Sequence, residues 1–166
     1  MTMANAVVRK NKIFKPHTYF KTRKGLRVSN EFNRRVLARQ PVSILYRGCE
    51  GMTSFVLPRL MSDHEIINEF LGGIDEVFTH GITLDQIAEK IDLQPNGKDG
   101  ELLNNGQTNI FFYVSVIPKV YFESHFAVSV KWDSGRHEWW VCDWPLNWFG
   151  GWGSGSRGFR NTTLKA

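Results

Sequence analysis

The sequence predicts an α+β fold in which a helical N-terminal half packs on a C-terminal antiparallel sheet of three or more strands. Helix-capping signals lie before the loop QPNGKDG (94–100), and alternating apolar residues typical of strands lie after it. The 166 residues are 42% apolar and 13% aromatic, a composition typical of a folded domain. We therefore expect one folded unit with extensions at its ends.

Changes in composition along the chain predict three parts. Residues 1–28 mix many cations with aromatic residues and show no helical period, so they are interpreted as a basic N-terminal arm. Residues 29–149 form the single α+β domain. Residues 150–166 form a glycine-rich C-terminal tail, either a loop ordered by its contacts or a flexible end.

Two capping boxes predict helices in the N-terminal half. Ser62 is followed three residues later by Glu65, and Thr83 is followed by Gln86. In such a box each side chain accepts a hydrogen bond from the other residue's backbone amide. The second box precedes the amphipathic segment LDQIAEKI, which makes it the clearest helix of the chain.

Two further helices are predicted from weaker signals. Ser29 is placed to cap a helix over residues 30–39, which Pro41 ends. Residues 52–60 are largely apolar and follow a cysteine-containing turn, which indicates another helix although Pro58 would kink it.

Three antiparallel strands are predicted in the C-terminal half. They cover NIFFYVSVI (109–117), VYFESHFAVSVKW (120–132) and HEWWVCDW (137–144). A three-residue turn with Gly135 in the left-handed conformation would pair Trp132 with Arg136 and place His125 opposite Asp143.

A longer turn gives an alternative register, which pairs Lys131 with Glu138 and places Cys142 on the face of His125. Asp143 would then point to the apolar side. An exposed charge pair contributes about 0.2–1 kcal/mol, whereas burying an unpaired carboxylate costs several. We therefore expect the register that pairs His125 with Asp143.

The two cysteines, Cys49 and Cys142, could form one disulfide or remain free thiols, and we expect free thiols. Cys49 lies in RGCEG ahead of the predicted helix over residues 52–60. Helix N-terminal amides together with Arg47 would lower the pKa of its thiol. Cys142 lies between tryptophans on a strand and is interpreted as a core residue.

The chain order Cys49, His125, Asp143 and the segment HFAVSVKWDSGRHEWWVCDW resemble the papain-like and transglutaminase-like thiol fold, including its protein glutaminases. The resemblance implies a cysteine-dependent amide hydrolase (peptidase, amidase or protein deamidase) that acts on a protein or peptide substrate without a cofactor. Cys49 would attack the carbonyl, His125 would accept its proton, and Asp143 would orient the histidine ring. The sequence departs from that family at Pro58 and has no glutamine close before Cys49 to line an oxyanion hole.

The charge distribution predicts an alternative function. Residues 1–47 carry 12 Lys and Arg and a single acid, Glu31, whereas residues 48–166 carry 9 Lys and Arg and 15 acids. Such a chain would suit a non-catalytic binding or inhibitor protein, such as one of a phage or mobile element, that contacts nucleic acid or an acidic protein surface. The candidate contact residues are Lys10, Lys12, Lys15, Arg23, Lys24, Arg27, Arg34 and Arg35.

The same charge asymmetry also permits an internal role for the arm. It would then lie across the protein's own acidic helices, around Asp63, Glu69, Asp75 and Glu76. The apolar residues of the arm, such as Phe14 and Phe20, favour this packing because a purely electrostatic tail does not need them.

Other classes of function have no support in the sequence. Histidine and cysteine spacings typical of metal sites are missing, as is a glycine-rich loop before Lys-Ser/Thr, so we predict neither a metal nor a nucleotide cofactor. No apolar run approaches the roughly 20 residues of a membrane span, and the N-terminus has no secretory signal core. We therefore expect a cytoplasmic protein, and the sequence does not indicate its oligomeric state.

Overall fold

A mixed six-stranded sheet forms the centre of the computed structural model, which describes residues 12–113, 126–146 and 150–162. Its strand order is β2-β7-β6-β5-β8-β4, and β1 and β3 form a separate two-stranded sheet. The strands are β1 (Ile13–Phe14), β2 (Leu26–Val28), β3 (Ile44–Leu45), β4 (Met52–Val56), β5 (Asn109–Tyr113), β6 (Phe126–Asp133), β7 (Glu138–Pro145) and β8 (Arg157–Asn161).

The helices are short and connect or cover the strands. They are α1 (Pro16–Tyr19), α2 (Asn30–Arg35), α3 (Asp63–Phe70), α4 (Val77–His80) and α5 (Leu84–Asp92). The predicted caps are confirmed: Ser29 accepts a hydrogen bond from the Phe32 amide at the start of α2, and both capping boxes form, at α3 and at α5.

The predicted division into a helical N-terminal half and a C-terminal antiparallel sheet is wrong. Both halves of the chain supply strands to the central sheet, and helices are a minor part of the fold. The sheet is also mixed, because β2 runs parallel to β7 and β5 runs parallel to β8. Strand pairings between distant segments leave no local signal in the sequence.

The predicted helix over residues 52–60 is a strand. Residues Met52–Val56 pair with Asn161–Arg157 of β8, so the glycine-rich tail supplies the partner strand. Gly158 is required in β8, because an added Cβ atom would lie 2.2 Å from the ring of Phe55. That ring is stacked on Phe70 with their centroids 4.2 Å apart, so it cannot move aside without losing this contact.

Apolar residues cover both faces of the sheet, which gives a three-layer arrangement. On one face, Phe20 and Phe32 of the N-terminal segment and Ile87 of α5 pack against sheet residues such as Phe111 and Val128. On the other face, residues of α3 and its flanking segments pack against Ile110, Phe112 and Ala127. Residues 13–28 of the predicted arm are therefore part of the fold, as β1, α1, β2 and the turns between them.

The hairpin of β6 and β7 has neither of the registers considered from the sequence. Asp133 pairs with Glu138, Trp132 pairs with Trp139, and Val128 pairs with Asp143. The Asp133 carboxylate accepts hydrogen bonds from the amides of Gly135 and Arg136, both at 3.1 Å, and it closes the turn.

The left-handed residue of this turn is His137, with φ 53°, whereas the sequence analysis assigned that conformation to Gly135. The observed register also joins the side chains of Trp132 and Trp139 in an edge-to-face contact with a centroid distance of 5.2 Å. Such aromatic pairs contribute about 0.5–1.5 kcal/mol beyond the area that they bury.

Candidate functional site

Cys49 lies in the loop between β3 and β4, which polar side chains of α5 hold in place. The Cys49 amide donates to Glu89 Oε2 at 2.8 Å, and its thiol donates to the carbonyl oxygen of Gln86 at 3.3 Å. The preceding amides of Arg47 and Gly48 donate to Asp85 Oδ2 at 2.7 and 2.9 Å. Three consecutive backbone amides therefore contact carboxylates of the chain itself.

This environment disfavours a thiolate at Cys49. Burial raises the pKa of the Cys49 thiol far above its usual range, and the neighbouring Glu89 raises it further. The residues after the loop form β4, so the helix whose N-terminus was expected beside the sulfur does not form. The expected stabilisation of the thiolate by helix amides and Arg47 is therefore wrong.

Asp143 lies in the middle of β7 and is buried beneath α2. Its nearest charged partner is Arg35, with Nε 3.3 Å from Asp143 Oδ2. Burial raises the pKa of the Asp143 carboxyl, and the Arg35 guanidinium only partly opposes this effect. Asp143 pairs across the hairpin with Val128, whereas the sequence analysis paired it with His125. His125 itself lies outside the described residues.

The cations of the N-terminal segment are predominantly exposed. Ten Lys and Arg residues lie between residues 12 and 47, and eight of them are exposed. No ion pair within the described residues engages these eight. They are Lys12, Lys15, Lys21, Arg23, Lys24, Arg34, Arg39 and Arg47. We call this set the basic surface; Lys10 of the predicted set lies outside the described residues.

Two of the predicted contact residues have structural partners. Arg35 pairs with Asp143, as described above. Arg27 pairs with Asp133 at 3.5 Å and with Glu138 at 2.9 Å, and these two carboxylates lie opposite each other in the hairpin. Arg27 and Arg35 therefore stabilise the fold, whereas Lys21, Arg39 and Arg47 extend the exposed set beyond the residues that the sequence analysis selected.

Among the described residues of the arm, the predicted contact with the acidic helices is not observed. The N-terminal segment contacts α5, where Tyr19 Oη donates to Asp92 at 2.7 Å. The acidic residues Glu65 and Glu69 of α3 instead pair with Arg59. The carboxylates of Glu65 and Glu69 therefore do not pair with the exposed cations of the N-terminal segment.

A groove lined by tryptophans opens on the face of the hairpin away from the N-terminal segment. Its cavity has a volume of about 240 Å³ and is lined by Trp140, Trp144 and Trp152 together with Ser129, Lys131 and Cys142. We call it the tryptophan groove. The groove was not predicted from the sequence, although the alternation of Trp140, Cys142 and Trp144 in β7 places these residues on one face.

Two hydrogen bonds orient the indole rings of the groove. Trp144 Nε1 donates to Ser129 Oγ at 3.0 Å, and Trp152 Nε1 donates to Asp63 Oδ1 at 2.6 Å. Asp63 is buried, and burial raises the pKa of its carboxyl to about 6, although the hydrogen bond from Trp152 opposes this shift. The groove therefore has two rings in defined orientations and one exposed cation, Lys131.

The described residues contain no cluster of three His, Cys, Asp or Glu side chains arranged to hold a metal ion. Among them, no helix has the length and apolar character required to cross a membrane. Comparison of the chain with protein-family models, with curated proteins and with solved structures finds no match.

Proposed function

We propose that this protein is a non-catalytic binding protein whose basic surface contacts the phosphate backbone of nucleic acid. The observation that carries this proposal is the set of eight exposed cations without ion pairs within the described residues. Lys and Arg side chains that neutralise phosphates release condensed counterions, which is the main source of sequence-independent affinity for nucleic acid.

The chain orders these cations by packing the apolar residues between them. Phe20 and Phe32 are buried with their ring centroids 5.2 Å apart, while the neighbouring Lys21 and Arg34 are exposed. Pairing of β1 with β3 brings the carbonyl of Lys12 within 2.8 Å of the Tyr46 amide, and Arg47 follows in the chain. The basic surface is thus presented on a folded segment, which reduces the conformational entropy lost on binding.

Contacts to phosphates position a nucleic acid without selecting its sequence. The two helices of the N-terminal segment, α1 and α2, have four and six residues. Both are too short to act as a recognition helix that reads bases in the major groove. We therefore expect binding with little dependence on base sequence and strong dependence on salt concentration.

The experiment measures fluorescence anisotropy of a labelled oligothymidylate of about 15 nucleotides and of a duplex of the same length at physiological salt. The variant Arg39→Ala/Arg47→Ala should bind about 10-fold more weakly, because two phosphate contacts are lost. The matched control is Lys98→Ala/Arg59→Ala, which removes the same charge elsewhere and should bind as the wild type does. Equal losses in the two variants, or no binding tighter than about 0.1 mM, contradict the proposal.

An acidic protein surface is a second candidate partner, favoured by an exposed apolar pair within the basic surface. Ile13 and Leu45 are paired across the two-stranded sheet and are 58% and 73% exposed, beside Lys12 and Arg47. Phosphate backbones gain little from such aliphatic side chains, whereas protein interfaces bury them at their centre. Poly-glutamate, added as a competitor, separates the two candidates. If it displaces the oligonucleotide only at a large excess of charge, nucleic acid is the preferred partner.

A further inference from the structure

We propose that the tryptophan groove receives an unstacked base of single-stranded nucleic acid. This inference rests on the proposed function, in which the ligand is recognised by its charge. It adds that the preferred nucleic acid is single-stranded. Aromatic rings stack on the faces of bases in any sequence, and a duplex does not offer those faces. The groove would therefore make the protein prefer single strands, whereas the basic surface alone does not distinguish the two forms.

The size of the groove suits one ring system. Its volume of about 240 Å³ lies below the roughly 300–1,000 Å³ of pockets that enclose a whole small molecule. The lining combines indole surfaces with the hydroxyl of Ser129 and the ammonium of Lys131. This combination matches a planar base attached to a charged backbone better than it matches a purely apolar ligand.

Lys131 is placed to contact the backbone of a strand whose base occupies the groove. It lies directly across the hairpin from Trp140, and both residues also line a second cavity of about 260 Å³ beside Asp133 and Ser134. Lys131 and Trp140 therefore separate two adjoining cavities on an exposed face. Each of the two cavities has room for one base, and Lys131 between them can contact the phosphate that joins two successive nucleotides of one strand.

Arg27, in the edge strand of the sheet, contacts the groove from the side of the N-terminal segment. This residue belongs to β2, which pairs with β7, and its guanidinium carbon lies 4.3 Å from the centroid of the Trp140 ring. The turn that precedes β2 carries the exposed cations Lys21, Arg23 and Lys24. Because the groove opens on the other face of the hairpin, a nucleic-acid strand that occupies it would pass the edge strand β2 at Arg27 before it reaches these cations.

The groove also needs little reorganisation to accept a ring. Trp144 and Trp152 are held edge to face with a centroid distance of 6.3 Å, and each indole nitrogen is hydrogen-bonded. Trp140 is 37% exposed, so the part of its ring that Arg27 does not cover is available at the surface. Ordered side chains lose less conformational entropy on binding than flexible ones.

The test compares Trp140→Ala with the matched control Leu93→Ala, which removes an exposed apolar side chain at a different site (65% exposed). Trp140→Ala should weaken binding of the labelled oligothymidylate about 5- to 100-fold, as expected for the loss of one stacked base. It should leave binding of the duplex unchanged, and Leu93→Ala should change neither. The thermal midpoint of each variant verifies its folding.

A second measurement does not depend on a variant. Ultraviolet cross-linking of the oligothymidylate to the wild-type protein, followed by peptide mass spectrometry, should identify attachment in β6 or β7, at or beside Lys131 and Trp140. Attachment confined to residues 12–47 would overturn the inference and leave the proposed function intact.

The remaining outcomes separate the inference from the proposed function. Equal affinity for single and double strands, with no effect of Trp140→Ala, overturns the base-binding groove but supports the basic surface. Binding of a neutral oligosaccharide such as cellohexaose, abolished by Trp140→Ala, assigns the groove to a sugar and also overturns the inference. Absence of binding to every nucleic acid contradicts both proposals.

Discussion

The guanidinium group of Arg27 lies over the indole ring of Trp140, with the guanidinium carbon 4.3 Å from the ring centroid. The same group pairs with Asp133 and Glu138, two acids that face each other across the hairpin. Like charges placed directly opposite in a sheet are destabilising. Arg27 therefore offsets a repulsion that the hairpin register creates, and it joins β2 to the hairpin.

Arg27→Ala should lower the free energy of unfolding by about 1–2 kcal/mol, because the cation–π contact and both ion pairs are lost. Adding Asp133→Asn should restore about 0.5 kcal/mol, because it removes one of the two facing charges and keeps an acceptor for the turn amides. Urea unfolding measures both changes. Arg136→Ala, at an exposed neighbouring cation, is the control, and an equal loss there would contradict the assigned role of Arg27.

Arg35 and Asp143 form a pair in which one partner is buried. Arg35→Ala should destabilise the fold by about 2–3 kcal/mol, because it leaves the Asp143 carboxylate buried without a cation. Asp143→Asn in the same chain should recover part of this loss. Arg34→Ala is the matched control, since Arg34 is the adjacent exposed arginine of α2 and should change stability by less than about 0.5 kcal/mol. No difference between the two arginine variants in urea unfolding would show that the pair is unimportant.

Asp63 should make stability depend on pH. Its pKa is raised to about 6 in the folded protein, whereas an unfolded aspartate titrates near 3.9. Because the folded state holds the proton more tightly, its contribution is fully present below about pH 4 and is lost as the pH rises through about 6. The loss should be on the order of 2 to 3 kcal/mol.

Asp63→Asn isolates this contribution, because asparagine retains an oxygen acceptor for Trp152 and does not titrate. Urea unfolding from about pH 4 to about pH 7 measures the unfolding free energy of both proteins. As the pH rises, the wild type should lose stability relative to this variant. A constant difference across that range would show that the Asp63 carboxyl titrates normally.

Neither cysteine should react quickly at neutral pH. Burial raises the pKa of Cys142 to about 11, and burial together with Glu89 raises that of Cys49 beyond its usual range. Glu89→Gln should speed alkylation of Cys49 roughly tenfold, because a nearby carboxylate typically shifts a pKa by about one unit or more. Rates are followed by mass spectrometry, with Cys142 as the internal control. Rapid labelling of Cys49 in the wild type would instead favour the thiol hydrolase that the sequence suggested.

The sequence predicts those parts of the fold that depend on neighbouring residues. The caps at Ser29, Ser62 and Thr83 form as predicted, because each depends on a hydrogen bond within three residues. Strand β8 was missed because its glycine content indicates a loop. Gly158 of this strand is needed because a side chain there would collide with the ring of Phe55, which lies about a hundred residues away in the chain.

The candidate catalytic residues show the same limit. Asp143 was predicted to face solvent because a buried carboxylate without a partner is costly. The structure buries Asp143 and supplies Arg35 from α2, a partner that only the tertiary fold brings close. Likewise, the carboxylates that surround the Cys49 loop come from α5, and no local pattern at RGCEG indicates them.

The salt dependence of oligothymidylate binding tests the central claim most directly. If about four of the exposed cations contact phosphates, the logarithm of the affinity should fall with the logarithm of salt concentration with a slope near −3 between about 50 and 200 mM. Arg39→Ala/Arg47→Ala should reduce the magnitude of the slope by about one unit, and Lys98→Ala/Arg59→Ala should leave it unchanged. A slope of magnitude below about 1, or the same reduction in both variants, would contradict nucleic-acid binding through the basic surface.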